Sequence, residues 1–313
     1  MPQMNNSQAR MVDPVLTSAA QGYTNNDFVG MALFPAVPVA ARGGKITQFG
    51  KEDFMLYATG RSPGENTKRV TFGYAGLPYS LESHSLEGLL PIETAQEAET
   101  VPGIDMSTIT IRGTQNIIGL RLEKQQADVA RNAAAYAAGN KITLAGTSQW
   151  SDFTGTSDPV AVIEAGKEAV RKKVGKRANT AIIGAAVFSA LKQHPKILDR
   201  MKYTGRDVAT AELLASFFDL DRVLVGDAVY ANDDGEFADV WGKDVVLAYT
   251  EVGTQKDKGK PSYGYTYQLG GYPVVEQPYY DRNTKSWVFP VTDEVMPVIA
   301  GADSGYLIQN AVA

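Results

Sequence analysis

Between residues 158 and 225, short apolar runs alternate with helix-length segments, and this alternation most restricts the folds open to the chain. Asp158 followed by Pro159 supplies an N-cap and a first-turn proline for a helix running to about Val174. Residues 180–183 form a short apolar strand, residues 185–193 a helix, and Pro195 opens another short helix ending near Met201. Thr210 caps a helix over residues 211–218, and residues 223–225 are again a buried strand. Strands alternating with helices of these lengths predict a compact α/β unit, its sheet flanked by helices.

The whole chain of 313 residues is long enough for about two domains. With 44% hydrophobic and 21% charged residues it reads as globular. No apolar run approaches the roughly 20 residues that span a bilayer, and the opening MPQMNNSQAR lacks the apolar stretch of a signal peptide. A soluble protein made in a cytoplasm, without membrane partners, is the expectation.

Residues 1–41 are mostly polar or small, with Pro35 and Pro38 favouring extended backbone before them, and read as an arm. Leu16, Phe28, Leu33 and Phe34 on that arm need a surface to lie on. Over residues 45–85 two strand-like runs flank a turn-rich tip: residues 46–49 enter, TGRSPGENT at 59–67 turns, and residues 69–74 return. A two-stranded hairpin is marginal alone in water, so it must dock on something. Within residues 105–138 the second half is a clear amphipathic helix, with Ile118, Leu122, Val129 and Ala133 on one face. Locally the first half reads otherwise: β-branched Thr108 to Ile111 predict a strand over 107–112, and Gly113 and Gly119 each weaken a helix by about 1 kcal/mol relative to Ala. Residues 146–157 mark a crossing between domains, while residues 244–249 and a hairpin around Gly270 and Gly271 extend the α/β unit. From Lys285 onward SWVFPV, VMPVIAG and GYLIQN are strand-like.

The strings KRANTAIIGAAVFSALKQHPKILDRMKYTG and TAELLASFFDLDRVLVGDAVY, with TLAGTSQWSD upstream and GYTYQLGGYPVVEQPYYDRNT downstream, resemble tailed-bacteriophage major capsid proteins in order and spacing. The resemblance implies an α+β fold with four parts. These are an N-terminal arm (1–44), an extended β-hairpin loop (45–85), a peripheral domain with a long spine helix and β-sheet (86–145 and 285–313), and an α/β axial domain (146–284). It implies one spine helix from near Asp105 to Ala138, about 50 Å long, with the segments after Lys285 returning to the sheet beneath it. It further implies self-assembly as hexamers and pentamers of an icosahedral virion head, built in the host cytoplasm and enclosing double-stranded DNA. Scaffold, portal and decoration proteins are the other partners it suggests. The extended loop would reach a neighbouring protomer, with Phe54, Tyr57, Arg61, Lys68 and Arg69 as inter-subunit contacts and the three cations as ion-pair candidates. Some relatives cross-link a loop Lys to a neighbour's Asn. Lys45, Lys51 and Lys68 lie in or near the loop, but no partner Asn or assisting carboxylate can be matched, so non-covalent stabilisation is expected. An encapsulin-like compartment shares the fold and stands as the alternative.

Catalytic and cofactor signatures fail on spacing. Cysteine is absent, which removes disulfides, thiolate zinc sites and thiol nucleophiles. Gly43, Gly44, Lys45 and Thr47 have the ingredients of a phosphate loop in the wrong order, and read as a flexible turn. GADSG at 301–305 misplaces the Ser of a nucleophile elbow and reads as a loop between strands. In Asn232 to Gly235 the first calcium carboxylate is replaced by Tyr230, which leaves a turn. His84 and His194 have no ligand partner at helical spacing, and a cytosolic α/β enzyme is accordingly disfavoured. No catalytic residue, cofactor or metal is expected. The net charge of −5 gives no basic footprint for gripping nucleic acid, though a container need not grip its contents.

Overall fold

A computed structural model describes residues 16–17, 28–47, 56, 59–61, 66–67, 69, 76–99, 105–154, 156–201, 210–251 and 262–313. In chain order the helices are α1 (Ile92–Glu99), α2 (Met106–Arg131), α3 (Pro159–Val174), α4 (Ala185–Gln193), α5 (Pro195–Met201) and α6 (Ala211–Phe218). The strands are β1 (Ala36–Val39), β2 (Gly43–Thr47), β3 (Gly76–Ser80), β4 (Glu82–Pro91), β5 (Lys141–Thr143), β6 (Thr180–Gly184), β7 (Arg222–Gly226), β8 (Val229–Ala231), β9 (Phe237–Asp239), β10 (Val245–Ala248), β11 (Gly264–Leu269), β12 (Val274–Val275), β13 (Tyr279–Asp281), β14 (Ser286–Ile299) and β15 (Gly305–Gln309).

The α/β unit forms as the alternation requires. Asp158 accepts from the Ala161 N–H with Pro159 at the helix start, and Thr210 accepts from the Leu213 N–H. Gly175 closes α3 at φ +69°, a left-handed conformation that glycine adopts without a Cβ clash. The sheet runs β5-β15-β10-β6-β7, with β10 antiparallel to its neighbours. Every residue of β6 and β10 is buried because both faces are covered. On one face Ile163, Val170, Val187, Leu191, Leu214 and Phe218 of the helices meet Ile183, Val245 and Leu247. On the other, Ile182, Val246 and Leu307 meet Ala127 and Ala130 of α2 and the arm residues Leu33 and Phe34.

The second sheet is organised by β14. One edge pairs with β4 over ten register positions, Ser286 to Pro91 through Val295 to Glu82. The other pairs in turn with β11, β12 and β13, and β1 adds in parallel outside β11. The first half of α2 lies on this sheet through Ile111 and Ile118, which pack with Leu90, Phe289 and Val291.

The helical spine starts where the family resemblance places it. Met106 is its first residue and Asp105 its cap, accepting from the N–H groups of Ser107 and Thr108. The local expectation of a strand over 107–112 is therefore wrong, and tertiary packing is the reason: Ile111 is 3% exposed. The Thr110 and Thr114 hydroxyls turn back onto the Met106 and Thr110 carbonyls, which accommodates β-branched residues in the helix. At Gly119 a Cβ would lie 2.9 Å from the Phe28 ring, so the glycine makes room for the arm. The helix stops at Arg131, short of Ala138, because Asn132 turns to ψ 102° and its side chain accepts from the Ala134 N–H. At about 1.5 Å per residue, its 26 residues span about 39 Å.

Four other expectations change. The hairpin's return strand in the described residues is β3, pairing Leu77 with Ile46 and Gly76 with Thr47; Arg69 is not in a strand, and residues 70–74 lie outside the described residues. Gly43 to Lys45 belong to β2 and are not a free turn. Gly270 and Gly271 do not join a hairpin: β11 and β12 both pair with the same edge of β14, so this stretch belongs to the second sheet. GYLIQ lies under the second half of the spine but not in the second sheet: it inserts as β15 between β5 and β10 of the α/β sheet, since a short strand buried at Tyr306, Leu307 and Ile308 alike carries no pattern that selects its sheet.

Candidate assembly surface

The arm reaches the body of the protein at residues 28–34, where the chain makes a 3-10 turn over Gly30–Ala32. Leu33 and Phe34 are fully buried there. The turn is held by Glu123 of α2, 1% exposed, which accepts from the Val29 N–H at 3.1 Å, the Gly30 N–H at 2.9 Å and the Trp241 Nε1–H at 2.7 Å. Burial pushes the Glu123 carboxyl above the usual glutamate range, opposed by these donors. Beside it Gln126 donates to Thr266 Oγ1 at 2.8 Å, and Thr266 donates to the Phe34 carbonyl at 3.0 Å. A Cβ on Gly30 would fall 2.1 Å from Gln126 Oε1 and 2.8 Å from Glu123 Oε2, so any side chain there would displace the groups that hold the turn. Upstream, Leu16 packs near the second sheet and Thr17 Oγ1 bonds both backbone groups of Val275, satisfying the outer edge of β12. The apolar arm residues find the surface their sequence requires.

The extended hairpin is rooted on the second sheet. Arg42 makes a bidentate pair with Glu294 at 2.6 and 2.7 Å, and Glu294 is 4% exposed. The pairing raises the guanidinium pKa further above its ordinary value. Tyr79 of β3 stacks on Tyr267 of β11 with ring centroids 4.7 Å apart. Of the five expected contact residues, Arg61 and Arg69 are described and exposed, Arg61 donating to Thr67 Oγ1 at 3.1 Å. Phe54, Tyr57 and Lys68 lie outside the described residues. Sequence reasoning missed Glu123, Gln126, Trp241, Arg42 and Glu294, whose partners are distant in sequence and carry no motif.

One pair resembles catalytic machinery. Ser157 Oγ lies 2.9 Å from His194 Nε2, both side chains buried. His194 Nδ1 accepts from the Lys196 N–H at 3.3 Å, so the neutral ring carries its proton on Nε2 and donates to Ser157. That tautomer cannot take the Ser157 proton. Burial, with Lys196 nearby, pushes the His194 pKa down and keeps the ring neutral. The pair joins the end of α4 to the start of α3 and is structural. His84 sits in β4, 3.8 Å from Glu82. Asn232 and Gly235 form the β8–β9 turn, with Asn232 Oδ1 accepting from the Glu236 N–H. Among the described residues no cluster of His, Asp or Glu has metal-binding geometry, and no helix is long and apolar enough to cross a membrane.

Residues 135–304 match the family model described as phage major capsid protein E. The chain is 40% identical over 308 residues to the major capsid protein of Burkholderia phage BcepMu, covering 97% of this chain and 98% of that one. A crystal structure of a phage-related protein from Bordetella bronchiseptica RB50 superposes with a TM-score of 0.82 at 42% identity, covering 97% and 98% of the two chains. The putative capsid protein of a prophage of E. coli CFT073 shares the fold, with a TM-score of 0.57 at 14% identity over 96% and 99%.

Proposed function

Because the chain belongs to the phage major capsid proteins and is thus a structural component of the virion, we propose that it assembles as hexamers and pentamers into an icosahedral head enclosing double-stranded DNA. The full-length identity to a phage head protein carries this reading and favours it over an encapsulin-like compartment. Assembly takes place in the host cytoplasm, with scaffold, portal and decoration proteins as further partners, and involves no catalysis by this chain. We assign the arm to residues 1–44 and the extended loop to 45–85. The peripheral part is built on the spine helix α2 and the second sheet, and the axial part on the α/β sheet.

Phe54, Tyr57, Arg61, Lys68 and Arg69 contact the neighbouring protomer in this reading, adding strand pairing and ion pairs to it. The Arg42–Glu294 anchor at the hairpin root supports this by fixing the direction in which the loop leaves the body. Obligate interfaces of this kind commonly bury more than about 2,000 Å². Negative-stain microscopy of concentrated protein, alone and with scaffold, tests the reading: rings or closed shells are expected, and a compact monomer under every condition refutes it. Deleting residues 54–68 is expected to leave a soluble protomer that builds no shells.

A further inference from the structure

The β8–β9 hairpin stands out from the body with an apolar outer face. Its register pairs Ala231 with Phe237 and Val229 with Asp239, so these four side chains share one side, and all four are exposed. Phe237 is 79% exposed and Val229 46%. A phenylalanine so placed on a rigid two-stranded support is what an interface would use as an anchor. The hairpin is fixed beside the second half of α2: Lys124 Nζ stands 5.1 Å from the Tyr230 ring centroid, and Arg131 Nη1 donates to the Val240 carbonyl at 3.0 Å.

On the other side of the exposed strip of α2 that carries Arg121 and Asp128 there is an open groove of about 580 Å³. Its walls include Pro78, Tyr79, Val129, Ala135, Met296 and Ile299. The Tyr79–Tyr267 stack makes one wall rigid. Lys124 and Arg131, seven positions apart, lie on one side of the helix, whereas Val129 and its neighbour Gln125, which reaches Met296, lie about 100° around the axis. Knob and groove therefore occupy the same stretch of the same helix on its two flanks.

Charge follows the same division. The hairpin segment carries Asp227, Asp233, Asp234, Glu236 and Asp239, all exposed and in no ion pair among the described residues. Exposed Lys45 is the register partner of groove-lining Pro78, and Lys141 donates to the Ala133 carbonyl at the far end of the helix. Glu82, the carboxylate lining the groove, is held by Gln125 Nε2 at 3.1 Å. Two hairpins facing each other across a two-fold axis would oppose acid to acid. A hairpin entering a second copy's groove brings its five acids toward Lys45 beside Pro78 and Lys141 beside Ala133, with Glu82 the one acid of the lining.

We propose that Phe237 and Val229 of one copy dock in the groove between Tyr79, Val129 and Ile299 of the next copy, forming a repeating head-to-tail contact. This rests on the capsid reading, and the test separates the two. The chain has no cysteine, so Phe237→Cys and Ala135→Cys can be introduced alone and together in the full chain and treated with a short bis-maleimide. The double variant is expected to give a ladder of linked multimers, and each single variant monomers only. Shells or rings without a ladder overturn the contact and leave the capsid reading intact, and dimers from Phe237→Cys alone overturn the head-to-tail geometry. No assembly of the unsubstituted chain under any condition refutes both. As a second measure, Phe237→Asp is expected to cut the assembled fraction at least tenfold with the protomer's thermal midpoint unchanged, and Phe237→Leu to keep it. Normal assembly of Phe237→Asp refutes the anchor.

Discussion

The Glu123 carboxylate and the Trp241 indole meet inside the protein, Nε1 donating to Oε1 at 2.7 Å across 118 positions of sequence. The same carboxylate holds the Val29 and Gly30 amides, so one side chain fixes the arm, the spine helix and the edge of the α/β sheet together. Replacing Glu123 by Ala strands these buried donors, each at about 1–3 kcal/mol. We expect a loss of at least about 3 kcal/mol in urea unfolding, and about 1 kcal/mol for Trp241→Phe after packing is allowed for. Equal, small losses would show that the three elements are held by packing alone.

Two buried groups give pH dependences of opposite sign. Burial raises the folded-state value of Glu123 above the ordinary 4.5, so its contribution to stability is full below that value and is lost as pH rises through the folded value. His194 is lowered from 6.5 by burial, so its contribution is present above 6.5 and lost as pH falls through the folded value. The advantage of wild type over Glu123→Gln in thermal midpoint is expected to shrink as pH rises, and over His194→Asn as pH falls. Flat differences across pH 4–8 would refute both assignments.

Removing Arg42 leaves the Glu294 carboxylate at the hairpin root without its cation. Breaking such a pair is worse than replacing it whole. Arg42→Ala is therefore expected to lower the urea midpoint more than the double change Arg42→Met with Glu294→Met. Amide exchange in β2 and β3 should rise first in the single variant, and a double variant less stable than the single would contradict this.

Gly184 and Gly226 are register partners at the ends of β6 and β7, and both are closely approached by the chain at 241–242. A Cβ on Gly184 would lie 2.0 Å from the Gly242 carbonyl oxygen, so Gly184→Ala is expected to cost about 1–3 kcal/mol or more. Gly113, in the exposed strip of the spine helix, has nothing within 4 Å of its Cβ position. Gly113→Ala is expected to stabilise the protomer by about 0.5–1 kcal/mol, read by thermal unfolding.

How far the sequence could be read depended on whether a signal was local. Asp158 with Pro159, and Thr210, announce their helices because a cap acts within three residues. Leu33 and Phe34 announced a buried arm because apolar side chains in a polar stretch need cover. The start of α2 was hidden because Thr108 to Ile111 prefer a strand locally, and Ile111 reverses that only by packing on Leu90 and Phe289. Glu123 looked like one more charge on a helix, since nothing near it in sequence shows that Gly30 and Trp241 converge on it. Phe237 sits in a turn-rich acidic segment where exposure and burial cannot be told apart without coordinates.

The spine helix rests its first half on one sheet and its second half on the other, without a break along its 26 residues. Neither sheet can then twist about that axis without carrying the other with it, because close-packed interiors transmit displacement instead of absorbing it. A load pressing outward on one lobe reaches the far lobe as torque along a single bar. A wall built from such bars is stiff within each tile, and its give resides at the seams.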